Sequence, residues 1–351
     1  MGEAPCDLLE TELALDRVEG LLAAELPAHM RAFARAYAAG APLPAAPDVA
    51  GCASSATVGR RALPHPTLAD RGLALLRVVA PIVIERDAGV SAARARFASA
   101  TPSWAAYAAL SALRDTVAKA RFGRPARDVL RLLHGAPEPD GADVPADLTG
   151  WREPDGQDLD IEATWAALVD RFRITSAFVD LRAADGGAAR PGTPGLAIVR
   201  AAVRPRAFVV EPGCEVIVVV PPRASSPAER FAVLHELGHA VANLLSPAGL
   251  PRVLDEAVAS LVARDLERTA PIAIAARMRR TQLARVLAAV ERGELPGDAV
   301  APSPPWALWH DPAAQAAYVA AEGLADRLAG APDLGAALAH ERARIDRETT
   351  L

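Results

Sequence analysis

Between Ser226 and Leu245 the chain reads Ser-Pro-Ala-Glu-Arg-Phe-Ala-Val-Leu-His-Glu-Leu-Gly-His-Ala-Val-Ala-Asn-Leu-Leu, so His235, Glu236 and His239 form the pattern H-E-x-x-H. Residues i and i+4 of an α-helix lie one above the other on the same face. His235 and His239 are therefore expected to aim two imidazoles at one metal ion. Glu236 falls on the flank of that face, where a base can take a proton from a coordinated water. The chemistry these three residues imply is metal-assisted hydrolysis.

The pattern needs a helix, and its neighbours predict one. Ser226 and Glu229 have the S-x-x-E spacing of a capping box. Pro227 stands at the first helical position, where its missing N–H is not needed. Phe231, Leu234, Val241, Leu244 and Leu245 recur at helical spacing and give the helix an apolar side. Ser246-Pro247 ends it.

Two histidines do not complete a catalytic zinc site, which takes three protein ligands and leaves a fourth position open. A second amphipathic helix is expected after Pro251, through Leu-Asp-Glu-Ala-Val-Ala at 254–259. Glu256 lies seventeen residues beyond His239, far enough for a turn and a returning helix. Its carboxylate would make a His-His-Glu set. Asp255 points about 100° away around the helix, so only one of the two acids is expected to face the metal. Ser260, one turn beyond Glu256, is placed either to hydrogen-bond a ligand or to face solvent.

The pair His-Glu-Leu-Gly-His and Leu-Asp-Glu-Ala-Val-Ala resembles the gluzincin metallopeptidases, the thermolysin and aminopeptidase type. The resemblance implies His235, His239 and Glu256 as zinc ligands and Glu236 as general base. It covers roughly 226–268, with weaker support at 306–345. Metzincins need Gly and His where this chain has Ala242 and Leu245. No Gly-x-Met-Glu-Asn exopeptidase motif precedes the helix, so aminopeptidase specificity is not implied. Related peptidases take an oxyanion donor, a Tyr or His, from a late helix. Here that implies Tyr318 first and His310 second.

Composition bounds the rest. The net charge is −5 over 351 residues and the pI about 5.9, so there is no basic footprint for nucleic acid. No apolar run reaches spanning length, since Leu73 to Ile84 contains Arg77 and Pro81. The acidic N-terminus lacks the form of a signal peptide. Cys6, Cys52 and Cys214 are few and widely spaced, which predicts a reducing, cytoplasmic setting. No motif sets an oligomeric state.

The fold class expected is α+β and mostly helical. A helical domain is expected over 1–135, covering the cleft or selecting substrate, with helices at 7–39, 67–86, 90–99, 103–122 and 125–134. The Pro-rich stretch 40–66 reads as a loop. The arginine-rich faces (Arg94, Arg96, Arg114, Lys119, Arg121, Arg124, Arg127) read chiefly as solvated surface, with a grip on acidic peptide as the other reading. A linker rich in Pro, Gly and acid follows at 136–158. A thermolysin-like catalytic domain is then expected over 159–351. It comprises a helix at 161–172, a small sheet with a hairpin around Glu211-Pro-Gly-Cys214, the two active-site helices, and helices near 271–292, 312–329 and 333–346. The activity expected is zinc-dependent hydrolysis of peptide bonds in a peptide or protein substrate. Two rivals remain: a zinc hydrolase dedicated to one maturation substrate or a non-peptide amide, and a non-catalytic binding protein. An intact Glu236 argues against the second, since a structural metal needs no base.

Overall fold

Short runs of β-branched residues next to a long capped helix set the architecture around the motif. The computed structural model describes residues 26–42, 44, 80, 84–85, 87–99, 103–136, 158–174, 177–181, 195–246, 250–266 and 314–348. The expected helix at 7–39 is described from residue 26 as α1 (26–38). The helix at 271–292, the linker at 137–157, nearly all of the 67–86 helix, and His310 lie outside the described residues.

The chain forms α2 (Ala88–Ser99), α3 (Trp104–Phe122), α4 (Ala126–His134) and α5 (Ile161–Phe172). Strands β1 (Ala177–Leu181), β2 (Gly195–Arg200), β3 (Arg206–Glu211) and β4 (Glu215–Val220) follow. Helices α6 (Pro227–Leu245), α7 (Arg252–Leu266), α8 (Ala314–Ala329) and α9 (Leu334–Glu348) complete the described elements. Among the described residues the fold is α+β, mostly helical with one small sheet. Among the described residues no helix is long and apolar enough to cross a membrane.

The sheet runs β1-β2-β4-β3. β1 and β2 pair in parallel, as do β2 and β4, while β3 is antiparallel to β4 at the edge. The hairpin expected around Glu211-Pro-Gly-Cys214 is this β3–β4 pair, with Gly213 at φ 76° in the turn, a conformation that favours glycine. Alternation divides the sheet into two faces. Leu196, Ile198, Val216, Val218 and Val220 face the core shared with α5 and α6. Ala197, Phe208, Val210, Ile217 and Val219 face the other way, against Ala34, Met30, Phe33 and Tyr37 of α1. β4, at the centre, is therefore buried throughout and has the continuous apolar run of a two-sided strand.

Residues 26–38 precede the Pro- and Gly-rich stretch in sequence yet pack on the sheet that follows it. Arg31 of α1 grips both carboxylate oxygens of Glu215 at the start of β4. Arg206 lies over the rings of Phe33, Tyr37 and Phe208 at 5.3 to 5.8 Å from their centroids. At the other end of the molecule α4 reaches the core. Its capping residue Gly135 (φ 66°) sits so close to Ile345 and Val253 that a Cβ would come within 2.6 Å of the former. Arg114 departs from the surface reading. It shares the inner face of α3 with Tyr107, Leu110 and Ala118, is 1% exposed, and bonds Glu85 through Nε at 2.6 Å.

The ends of α6 carry the predicted signals. Ser226 and Glu229 form the reciprocal capping box, with Pro227 beside it, and the helix stops at Leu245. α6 packs most extensively on α7, and α7 on α8. The two helices come into close contact at Gly238, the Gly of His-Glu-Leu-Gly-His. A Cβ there would stand 2.5 Å from the Cα of Ala259 and 3.1 Å from the carbonyl oxygens of Val258 and Ala259. Those are backbone atoms of a buried helix, which cannot swing aside. Gly238→Ala is therefore expected to reduce the free energy of unfolding by about 1–3 kcal/mol or more, measured by urea titration. An unchanged midpoint would show that the two helices do not need this contact.

Candidate metal centre

The capping box sets where α6 begins, and one side of the helix packs on α7. On that side lie His235 and His239, whose rings stand nearly perpendicular with centroids 4.9 Å apart. From α7, Glu256 reaches up to them. Its Oε2 is 3.2 Å from His235 Nε2 and 3.7 Å from His239 Nε2. The three ligand atoms lie within 4.8 Å of one another and all three residues are buried. Glu256 is wholly buried, and its Oε2 has no hydrogen-bond partner. A buried carboxylate oxygen with no donor, faced by two imidazole nitrogens, suits a divalent cation. The buried His-His-Glu set could hold a metal ion.

Surrounding groups orient each ligand. Glu256 Oε1 accepts from Arg252 Nε at 2.8 Å, one helical turn earlier. His239 Nδ1 lies 2.9 Å from Asp255 Oδ1, a short ion-pair contact poorly aligned as a hydrogen bond. Asp255 also accepts from Asn243 Nδ2 at 2.9 Å, and the same amide donates to the His239 carbonyl. The carbonyl of Asn243 in turn accepts from Gly213 N at 2.7 Å, joining the end of α6 to the β3–β4 turn. Phe231, one turn before His235, lies nearly parallel to that ring at 6.4 Å.

Glu236, on the flank of the histidine face, is only partly buried. Its Oε2 accepts from the backbone N–H of Ala207 on edge strand β3 at 2.6 Å. Tyr318 of α8 is also brought to the site. Its ring is 6.5 Å from that of His235, and its hydroxyl accepts from Arg252 Nη2 at 3.4 Å. Ser260 takes neither expected role: it is buried, and its hydroxyl donates to Glu322 on α8.

Spacing alone missed Arg252, Asp255, Asn243 and Ala207. Arg252 and Glu256 had an i,i+4 signal that could have been read. Asp255 points away from the ligand cluster, as its place on the helix predicts, and that direction carries it to the far nitrogen of His239. Nothing local to Ala207 signals its bond to a side chain 29 positions away. No family model, curated protein or solved structure matches this chain.

The electrostatics are those of a site built for a cation. Burial works against charge on His239 and is the largest single influence. Asp255 and Glu256, with a smaller contribution from Glu236, outweigh it and push the pKa up to about 10. Burial likewise opposes ionisation of Glu256, but Arg252, His239 and His235 overcome it and hold the carboxyl well below its usual range. An incoming metal must displace the His239 proton, because only the neutral ring is a ligand. Zinc affinity is thus expected to rise with pH through neutrality, by about tenfold per unit for one displaced proton, as read by competition with a chelating dye at pH 6, 7 and 8. Asp255→Ala is expected to weaken zinc about 10- to 100-fold in the same assay. A flat pH response, or wild-type affinity in that variant, would contradict this assignment.

Proposed function

We propose that this chain is a zinc-dependent peptidase of gluzincin type, hydrolysing peptide bonds with Glu236 as general base. The observation that carries the reading is the meeting of His235 Nε2, His239 Nε2 and the partnerless Glu256 Oε2, with a more accessible carboxylate beside them. A structural metal would need the first three groups and not the fourth.

His235, His239 and Glu256 would hold the ion. When bound, it supplies Lewis acidity and lowers the pKa of a water to about 7. Glu236 takes a proton as the scissile carbonyl is attacked and delivers it to the leaving amine. The Ala207 N–H holds one oxygen of that carboxylate and limits its rotation. Tyr318, whose phenol oxygen accepts from Arg252, donates to the oxyanion as the carbonyl carbon becomes tetrahedral. Donation by a guanidinium to that oxygen polarises the O–H and strengthens it as a donor. β3 lies at the sheet edge beside α6, where an extended peptide can pair by main-chain hydrogen bonds with little sequence demand.

Glu236→Gln is expected to bind zinc as the wild type does and to lose at least about 100-fold in kcat. Metal content by elemental analysis and cleavage of a mixed peptide library test the two halves separately. Wild-type cleavage by this variant would sink the mechanism. Zinc binding with no cleavage of any peptide by the wild-type protein would favour a non-peptide amide or a single dedicated substrate. Tyr318→Phe is expected to lower kcat about 100-fold with little change in KM, measured on the best substrate from that library.

A further inference from the structure

Arg252 is the residue around which the third ligand and the proposed oxyanion donor are arranged; its i,i+4 spacing from Glu256 is local, but its reach to Tyr318 is not. Its Nε donates to Glu256 Oε1 at 2.8 Å, while Oε2 of the same carboxylate turns to the two histidines. Its Nη2 reaches the Tyr318 hydroxyl, and its guanidinium carbon lies 5.9 Å from the centre of that ring. Glu256 and Tyr318 come from different helices, α7 and α8, and the guanidinium lies between them.

A carboxylate can bind a metal through one oxygen or through both. The choice changes coordination number and the room left for water. Engaging Oε1 in a charge-assisted hydrogen bond withdraws it from the metal and leaves Oε2 as the single donor. Glu256 Oε2 has no hydrogen-bond partner and faces the two imidazole nitrogens, so it is the oxygen left for a cation. We propose that Arg252 is a positioning residue that makes Glu256 a one-oxygen metal ligand and sets Tyr318 at the same centre. The inference rests on the zinc reading above and deepens it.

The test uses the full-length protein and its Arg252→Met, Arg252→Gln and Arg252→Lys variants, with folding checked by circular dichroism. Zinc affinity is measured against a chelating dye, and coordination by the visible absorption of the cobalt(II)-loaded protein. Arg252→Met is expected to bind zinc about 10- to 100-fold more weakly. Its cobalt absorption should weaken and move to shorter wavelength, as the second carboxylate oxygen joins the metal and coordination number rises. Arg252→Lys, which keeps a cationic donor one turn from Glu256, is expected to recover most of the affinity and the wild-type spectrum. Arg252→Gln, with a neutral donor, should fall between. A purely structural arginine would alter stability without altering the cobalt spectrum. Wild-type affinity and an unchanged spectrum in Arg252→Met would overturn the proposal; if that variant does not fold, the same result in Arg252→Gln would do so. Failure of the wild-type protein to bind zinc at all would instead remove the metal reading on which this one depends.

Discussion

Two helix backbones meet at Gly238 and Ala259 more closely than any side chain would allow, and the His-His-Glu cluster follows from that contact. A Cβ at 238 would sit 2.5 Å from the neighbouring Cα. Glutamate is a short side chain, and for Glu256 to reach two imidazoles on α6 its own helix must lie almost against them. A glycine one position before His239, set directly against Ala259 of α7, makes that possible. Closely packed interiors transmit such constraints because their parts have little room to yield. Spreading the helices would carry Glu256 away from both rings together.

The second constraint is charge. An ionised carboxylate in an apolar core is costly unless paired, and the penalty for an isolated ion reaches several kcal/mol. Glu256 is wholly buried, on a helix whose Val253, Leu254, Ala257 and Val258 are buried too. Arg252 and the two histidines offset its charge from one side. Asp255 and Asn243 hold His239 from the other. Simple stability would be served as well by apolar residues of like size. A buried set of this kind makes more sense as a cation site than as a structural pairing.

The sheet adds the flank of the site. β3 reaches it only because α1 covers the opposite face, through Phe33, Tyr37 and the Arg206 contact. Arg31 and Glu215, which tie α1 to β4, are 184 positions apart. The edge strand that restrains Glu236 is thus backed by a helix from the beginning of the described chain. On the reading proposed above, one strand both restrains Glu236 and would hold a substrate backbone.

Much of this was written in local patterns. His235, Glu236 and His239 need only the helical period to share a side, and Ser226, Pro227 and Glu229 mark where that helix starts. The hairpin could be read from Glu211-Pro-Gly-Cys214, and Glu256 from the need for a third donor on a returning helix. Periodicity could not reach the rest, because it depends on which side of one element meets which side of another. Arg114 looked like solvated surface until α3 was packed. Ser260 turned to Glu322 because α8, more than fifty residues later, lies alongside α7. Asp255 was judged by one helix alone, and its direction acquires meaning only when α6 stands beside it. The sequence by itself determined the chemical groups and the two helices that carry them, since capping and period act within a few residues. Only the tertiary structure decided how those groups are held, by Arg252, Asp255, Asn243 and the Ala207 amide. Arg252 meets Glu256 within one helical turn, but its reach to Tyr318 and the contacts of Asp255, Asn243 and Ala207 exist only where separate elements are pressed together.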